Sequence, residues 1–151
     1  MNYNFYILEQ TRSNILNAIK EYSIEQLNTI PDGFNNNLIW NFGHVVVTQQ
    51  LLCYGLSGLP MHLDKELINK YRKGSKPMAF VDVVEFELLK EKAFQLIEQT
   101  KTDYAKGIFK SYKSYTTSFN VTINSVEEAI AFNNVHEGLH FGSVLALRKL
   151  I

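Results

Sequence analysis

The C-terminal part of the sequence carries the strongest constraint on the fold. Ser125, followed three residues later by Glu128, has the pattern of a capping box and predicts a helix that begins there and continues to Ile151. At helical spacing, the predicted inner face of this helix is apolar at both ends and polar in the middle. The central residues are Asn133, His136 or Glu137, and His140. Polar side chains on a packing face are costly to bury without partners, so this break predicts a functional site.

Three further segments have the periodicity of amphipathic helices. They cover residues 4–22, 35–56 and 82–104. A long connection over 59–80 is expected to contain a short helix, and 105–124, rich in Tyr, Thr, Ser and Phe, is expected to form extended or irregular covering structure with a short hairpin. Four helices with apolar faces predict an all-α fold, a four-helix bundle with long crossover connections, in a single domain spanning 1–151.

Within the third of these helices, Asp82 is the expected N-cap and Glu85 follows at capping-box spacing. The predicted apolar face is only loosely defined. It consists of Val84, Leu88, Phe94 (or Glu91 beside it) and Ile97, with Lys101 at its end.

Composition narrows the class of protein. The chain has 151 residues, 46% hydrophobic and 20% charged, and its 15 basic residues balance its 15 acidic ones. No basic surface is therefore expected to bind nucleic acid, and a net charge of zero does little to oppose a homodimer. No secretory signal is visible, and the apolar stretches fall far below the ~18 residues that a membrane span needs. Cys53 is the only cysteine, which favours a reducing cytoplasmic location; it is expected to be buried and structural.

Three of the four histidines have the spacing of a metal site. His136 and His140, four apart on a helix, share one face with Cβ atoms about 5–6 Å apart. His44 lies in register with the apolar stripe of the second helix and is the candidate third ligand. Three imidazoles with an open position are the usual arrangement of a catalytic zinc site. The alternative is a set of polar core residues hydrogen-bonded to Asn133, Asn41 or water. His62 is expected to be an exposed loop residue.

Residues 136–140 also match the His-Glu-x-x-His pattern of zinc peptidases, with Glu137 in the place of the general base. Only 11 residues follow His140, and none is His, Asp or Glu, so the downstream third ligand of the common types is missing. A peptidase is not expected. Glu137 remains a candidate catalytic residue, either as a base or by orienting a ligand.

Residues 40–44 (Trp-Asn-Phe-Gly-His) and 136–142 (His-Glu-Gly-Leu-His-Phe-Gly) together resemble the DinB/YfiT-like superfamily, and the likeness extends over the layout of the whole chain. The resemblance implies a four-helix bundle, often dimeric, with a long crossover between the second and third helices. It also implies a divalent metal ion bound by His44, His136 and His140.

Family members are diverse in function. Some resemble thiol S-transferases that use bacillithiol, mycothiol or glutathione, and others are isomerases or hydrolases. The resemblance thus implies a metal-dependent transferase for a small-molecule substrate, with a low-molecular-weight thiol as cosubstrate. Imidazole ligands suit Zn or Ni, with Fe or Mn as alternatives. Arg72 and Lys73 are candidates to receive carboxylates of a thiol cofactor, unless they belong to a solvated loop. The alternative function is a non-catalytic metal-binding or stress-response module.

Overall fold

A computed structural model describes the whole chain, residues 1–151, as an all-α protein. The helices are α1 (Asn2–Ile19), α2 (Ile24–Asn28), α3 (Leu38–Gln50), α4 (Lys65–Tyr71), α5 (Val83–Ala105) and α6 (Val126–Leu147). A π-helical turn, Leu51–Gly55, continues α3, and the two-residue strands β1 (Tyr115–Thr116) and β2 (Thr122–Ile123) pair as an antiparallel hairpin. The four long helices α1, α3, α5 and α6 form the bundle, so the predicted fold class is confirmed.

Side-chain caps start the helices where the sequence predicts them. Asn37 accepts a hydrogen bond from the backbone N–H of Trp40, and Asp82 accepts one from that of Glu85. At α6, Ser125 accepts from the N–H of Glu128, while the Glu128 carboxylate accepts from the N–H of Asn124. The predicted box at α6 is therefore half formed, because the acidic side chain reaches one residue further back.

Helix α3 lies at the centre of the bundle. From Leu38 to Val47 all of its residues are buried, which is the pattern of a helix enclosed on every side. Helices α1 and α6 run parallel, since Phe5 packs with Val126 near their starts and the Tyr22 hydroxyl donates to the Arg148 carbonyl, 2.7 Å away, near their ends. The consecutive helices α3 and α5 also run parallel, since Phe42 packs against Phe86 near their starts and the amide of Gln49 donates to the Thr100 hydroxyl further along. Such a pair needs a long connection, and the segment around α4 supplies it.

Two boundary or face predictions are wrong. Helix α6 ends at Leu147 and not at Ile151; beyond it, the Arg148 guanidinium donates to the carbonyl of Ala18. In α5, Val84 and Leu88 are 77% and 39% exposed. The buried line of α5 consists of Phe86, Leu89, Ala93, Leu96, Ile97, Thr100 and Asp103. The start of α5 has apolar residues at several phases of the helix, so periodicity alone fits more than one face.

None of the helices combines the length and the apolar character needed to cross a membrane. Cys53 is fully buried as expected, and burial raises the pKa of its thiol to about 12, which leaves it a poor nucleophile.

Candidate metal centre

The three histidines singled out by spacing converge in the structure. His44 on α3 and His136 and His140 on α6 each offer one ring nitrogen, and these nitrogens all lie within 4.8 Å of one another. The Nε2 atoms of His44 and His136 are 3.2 Å apart. The three rings form a group that could hold a metal ion. His62 is not part of it: its side chain is 42% exposed, and its Nε2 lies 3.6 Å from a carboxylate oxygen of Asp103.

A backbone carbonyl sets the orientation of His44. Its Nδ1 lies 2.6 Å from the carbonyl oxygen of Tyr71, at the end of α4. A carbonyl only accepts, so Nδ1 carries the proton and Nε2 keeps its lone pair for the cluster. The Trp40 ring stacks on the His44 ring with centroids 4.6 Å apart, which holds the imidazole plane.

A side-chain amide orients His140 in the same way. The Nδ1 of His140 lies 2.8 Å from Oδ1 of Asn41. The amide nitrogen of Asn41 donates to the Asn37 carbonyl and to Oδ1 of Asn36, so Oδ1 of Asn41 is the atom left to face His140. Nδ1 of His140 therefore donates, and its Nε2 presents a lone pair. In contrast, Nδ1 of His136 is buried without a hydrogen-bond partner.

These positions fit a metal ion bound by nitrogen. With a Zn–N distance of about 2.0–2.1 Å, two imidazole nitrogens on one tetrahedral ion lie about 3.3 Å apart. The Nε2 atoms of His44 and His136 come close to that separation, at 3.2 Å. The same distance also fits a hydrogen bond from a protonated Nε2 of His136 to Nε2 of His44, which is the polar-core alternative raised by the sequence.

The surroundings keep the three rings neutral. Burial, followed by the nearby charges of His140 and His44, lowers the pKa of His136 to about 3. Burial, followed by the charge of His44, lowers the pKa of His140 to about 4. Burial also lowers the pKa of His44, against the opposing effect of its bond to Tyr71. Neutral imidazole is the form that binds metal, so the cluster is in its binding form at pH 7.

Glu137, the candidate general base, points to a different part of the core. Its carboxylate is fully buried and accepts hydrogen bonds from Nε and Nη2 of Arg12, and from the amide of Asn133 at 2.8 Å. Burial raises the pKa of Glu137, and the guanidinium of Arg12 opposes that rise. A catalytic role for Glu137 stays a prediction. In the structure its carboxylate forms an ion pair with Arg12.

Sequence reasoning missed the rest of this buried polar network. Arg12 also donates to Oε1 of Gln49 at 3.0 Å and to the carbonyl of Ala93, and the amide of Gln49 donates to the Thr100 hydroxyl at 3.0 Å. One signal was present in the sequence: Arg12 occupies a helical position in line with the buried Phe5, Leu8, Ile15 and Ile19.

A cavity of about 390 Å³ opens beside the cluster and is lined by His44 and His136. The leucines of the π-helical turn form one wall, and the hairpin carrying Tyr115, Thr117 and Ser118 forms another. Lys73 also lines the cavity, whereas its neighbour Arg72 does not. The cavity therefore gives His44 and His136 a largely apolar approach from solvent.

Comparison with known proteins agrees with this geometry. No curated protein sequence matches the chain. The profile of the DinB superfamily matches residues 7–144, which include all three histidines and the four long helices, apart from a few terminal residues. By this match over most of its length, the chain belongs to the DinB superfamily.

Proposed function

We propose that His44, His136 and His140 bind one divalent metal ion and that the protein is a metal-dependent transferase acting with a low-molecular-weight thiol. The observation that carries the metal site is the orientation of the rings. His44 and His140 each donate from Nδ1 to a fixed oxygen, so the lone pair of each ring lies on Nε2, directed away from that oxygen. The Nε2 of His44 has only the Thr48 hydroxyl at 3.3 Å and Nε2 of His136 at 3.2 Å beside it. Partners of this kind fix the tautomer and ring angle of metal-ligating histidines.

The donor set suits Zn or Ni, since neutral imidazoles favour these ions and leave their positive charge uncompensated. A metal ion in such a site would supply the charge that deprotonates a thiol at neutral pH. The chain's own part is to orient the imidazoles through Tyr71 and Asn41 and to restrict water. The apolar side chains of Leu51 and Phe132 beside the cluster support that second role.

One observation favours the second candidate, a non-catalytic metal-binding or stress-response module. The cavity lining contains no carboxylate, and the nearby Glu137 is held by Arg12. A reaction that needs a carboxylate base at the metal is therefore not supported. Activation of a thiol needs no such base, because the metal charge itself favours the thiolate.

Metal content is the first test. Untagged protein is purified, reconstituted with Zn or Ni, and analysed by mass spectrometry beside His44→Ala, His136→Ala and His140→Ala, with His62→Ala as the matched control. We expect near-stoichiometric metal in the wild type and in the control, and little in the three cluster variants. No metal in the wild type, or metal lost with His62→Ala and kept with His44→Ala, would overturn the proposed site.

Transferase activity has a separate test. The metal-loaded protein is incubated with an electrophile and with bacillithiol, mycothiol or glutathione, and consumption of the thiol is followed. Acceleration that depends on the metal and is absent in His136→Ala supports the transferase. No acceleration with any thiol, in protein shown to hold metal, favours the non-catalytic module.

We also propose a cytoplasmic homodimer. The single cysteine is buried, and the formal net charge is zero. Val135 and Leu139, one turn apart on α6, are 54% and 53% exposed, which gives α6 an apolar surface that a second copy would cover. Sedimentation velocity would show a dimer in the wild type and a shift toward monomer in Leu139→Glu. A wild-type monomer at micromolar concentration would overturn the dimer.

A further inference from the structure

We infer that the cavity beside the histidines binds a small organic anion with an apolar body, and that Lys73 selects for its charge. This inference rests on the proposed function in one respect: the end of the ligand opposite its charged group lies at His44 and His136, which are proposed to bind the metal. The preference for an anion comes from the cavity itself and is expected with or without metal.

The walls favour an apolar body. Leu51 and Leu52 of the π-helical turn, with Leu56 directly after it, line one side, and Phe132 of α6 lines another. Gly55 lies among them without a side chain, which leaves room between the leucines. Such a surface gains binding free energy from apolar groups that leave water.

Lys73 is the only lining residue with a permanent charge. It makes no ion pair, whereas Lys70 on the preceding helix is paired with Glu85. An exposed lysine that lines an apolar cavity and makes no ion pair with a protein carboxylate is a suitable partner for an anionic ligand group.

The turn that carries Lys73 is hydrogen-bonded to α3, the helix of His44. On one side of Lys73, the Tyr71 carbonyl accepts from His44; on the other, the Ser75 hydroxyl accepts from the indole N–H of Trp40 at 3.0 Å and donates to the Lys70 carbonyl at 2.7 Å. The bonds from His44 and from Trp40 both come from α3, so the backbone at Lys73 has a set position relative to the histidine cluster. A ligand can therefore reach from Lys73 to the histidine cluster.

The hairpin adds neutral hydrogen-bonding groups. Tyr115, Thr117 and Ser118 line the cavity on the side of the hairpin. The hairpin is held by Phe119, whose ring packs edge-on against Phe132 at a centroid distance of 5.7 Å. Hydroxyl groups can donate to an anionic oxygen and bring no competing negative charge. The cavity thus combines an apolar wall, one cation and several hydroxyls.

The test compares phenylacetate with phenylacetamide, which share an apolar body and differ in charge. Binding to the full-length protein is measured by calorimetry, in the metal-free form and in the zinc-loaded form. An exposed cation contributes modestly, so we expect the wild type to bind the carboxylate about five- to tenfold more tightly than the amide in both forms. Lys73→Gln should bring the ratio close to one. The matched control, Lys76→Gln, removes the same charge three residues away, outside the cavity lining, and should keep the preference.

A second variant locates the binding. Leu56→Trp fills the space between the leucines and should abolish binding of both probes while the circular dichroism spectrum stays helical. Equal affinity of the wild type for the two probes, no binding of either, or a preference that survives Lys73→Gln would each overturn the inference. A preference that appears only with zinc would assign the carboxylate to the metal and would also overturn the role of Lys73. Because the metal-free arm needs no metal, failure of the metal site and failure of this inference give different results.

Discussion

The carboxylate of Glu137 lies 2.6 Å from the guanidinium of Arg12, and both side chains are fully buried. The two residues are 125 positions apart in sequence, one on α1 and the other on α6, directly beside His136. Their contact joins the two parallel helices at the level of the histidine cluster. Removing one partner leaves an uncompensated charge in the core, which costs more than the pair itself contributes.

Arg12→Met should therefore lower the free energy of unfolding by about 3–5 kcal/mol at neutral pH, because Glu137 loses its bidentate partner. The double variant Arg12→Met with Glu137→Met should recover much of that loss, since it removes both charges. Urea unfolding followed by circular dichroism measures all three proteins. Arg72→Met, at an exposed arginine, is the control and should change stability by no more than about 0.5 kcal/mol.

The same double variant also tests the catalytic role predicted for Glu137, through its metal content and its thiol-transfer rate. If Glu137 acts only through Arg12, the folded double variant keeps the metal content and any thiol-transfer rate of the wild type. A rate that falls while metal content is unchanged would support a direct role for the carboxylate.

Asn41 should control metal affinity without touching the metal. Asn41→Leu removes the oxygen that accepts from Nδ1 of His140, and loss of such a partner typically lowers metal affinity about 10- to 100-fold. Competition with a chromogenic chelator measures the affinity. Asn134→Ala is the control, because the amide of Asn134 donates only to the Ile130 carbonyl of its own helix. Unchanged affinity in Asn41→Leu would overturn the positioning role of Asn41.

Two glycines should respond in opposite directions to alanine. A Cβ at Gly43 would lie 2.5 Å from the ring of Tyr71, which is almost fully buried, so Gly43→Ala forces the ring to move and should cost about 1–3 kcal/mol of stability. Moving Tyr71 also disturbs the carbonyl that orients His44, and metal affinity should fall. A Cβ at Gly138 meets open space, so Gly138→Ala should stabilise α6 by about 0.5–1 kcal/mol. Thermal unfolding compares the two, and a neutral Gly43→Ala would contradict the close contact.

Asp103 should make stability depend on acidic pH. Burial raises the pKa of its carboxyl, but hydrogen bonds from Gln99 and Tyr54, with the charges of His62 and Lys106, lower it below its ordinary value. A carboxylate with a lowered folded-state pKa stabilises the fold above its unfolded pKa of about 3.9, and this contribution is lost as the pH falls through the folded value.

Asp103→Asn should accordingly be less stable than the wild type at neutral pH, and the difference should shrink below about pH 4. Urea unfolding across this range measures it, with Asp32→Asn in an exposed turn as the control. A difference that stays constant with pH would show that Asp103 acts only as a hydrogen-bond acceptor.

Local patterns in the sequence predicted the helix starts and the members of the histidine cluster. The caps at Asn37, Asp82 and Ser125 and the four-residue spacing of His136 and His140 depend on contacts within one or two helical turns. His44 joined the cluster through its place on the inner stripe of a second helix. The resemblance supported the same trio, and the DinB profile now covers it.

Packing decided which of the adjacent residues His136 and Glu137 is buried. The sequence left His136 and Glu137 as alternatives on the inner line of α6; the structure buries Glu137 completely and leaves His136 at the edge, lining the cavity. Arg12 in α1 makes the burial of Glu137 possible, because a carboxylate is stable in the core only where a cation can bind it. The face of α5 was decided in the same way, by the helices packed against it.

The sequence by itself thus determined where the bundle helices lie, how α3, α5 and α6 are capped, and which histidines form the site, since these follow mainly from patterns between residues close along the chain. Only the tertiary structure decided which polar residue is buried, that Tyr71 and Asn41 orient the rings, and that Lys73 lies at the cavity. Each of these depends on a contact between different elements, or between a helix and the turn that follows another. The relative positions of such elements depend on how the whole core packs, which no local pattern specifies.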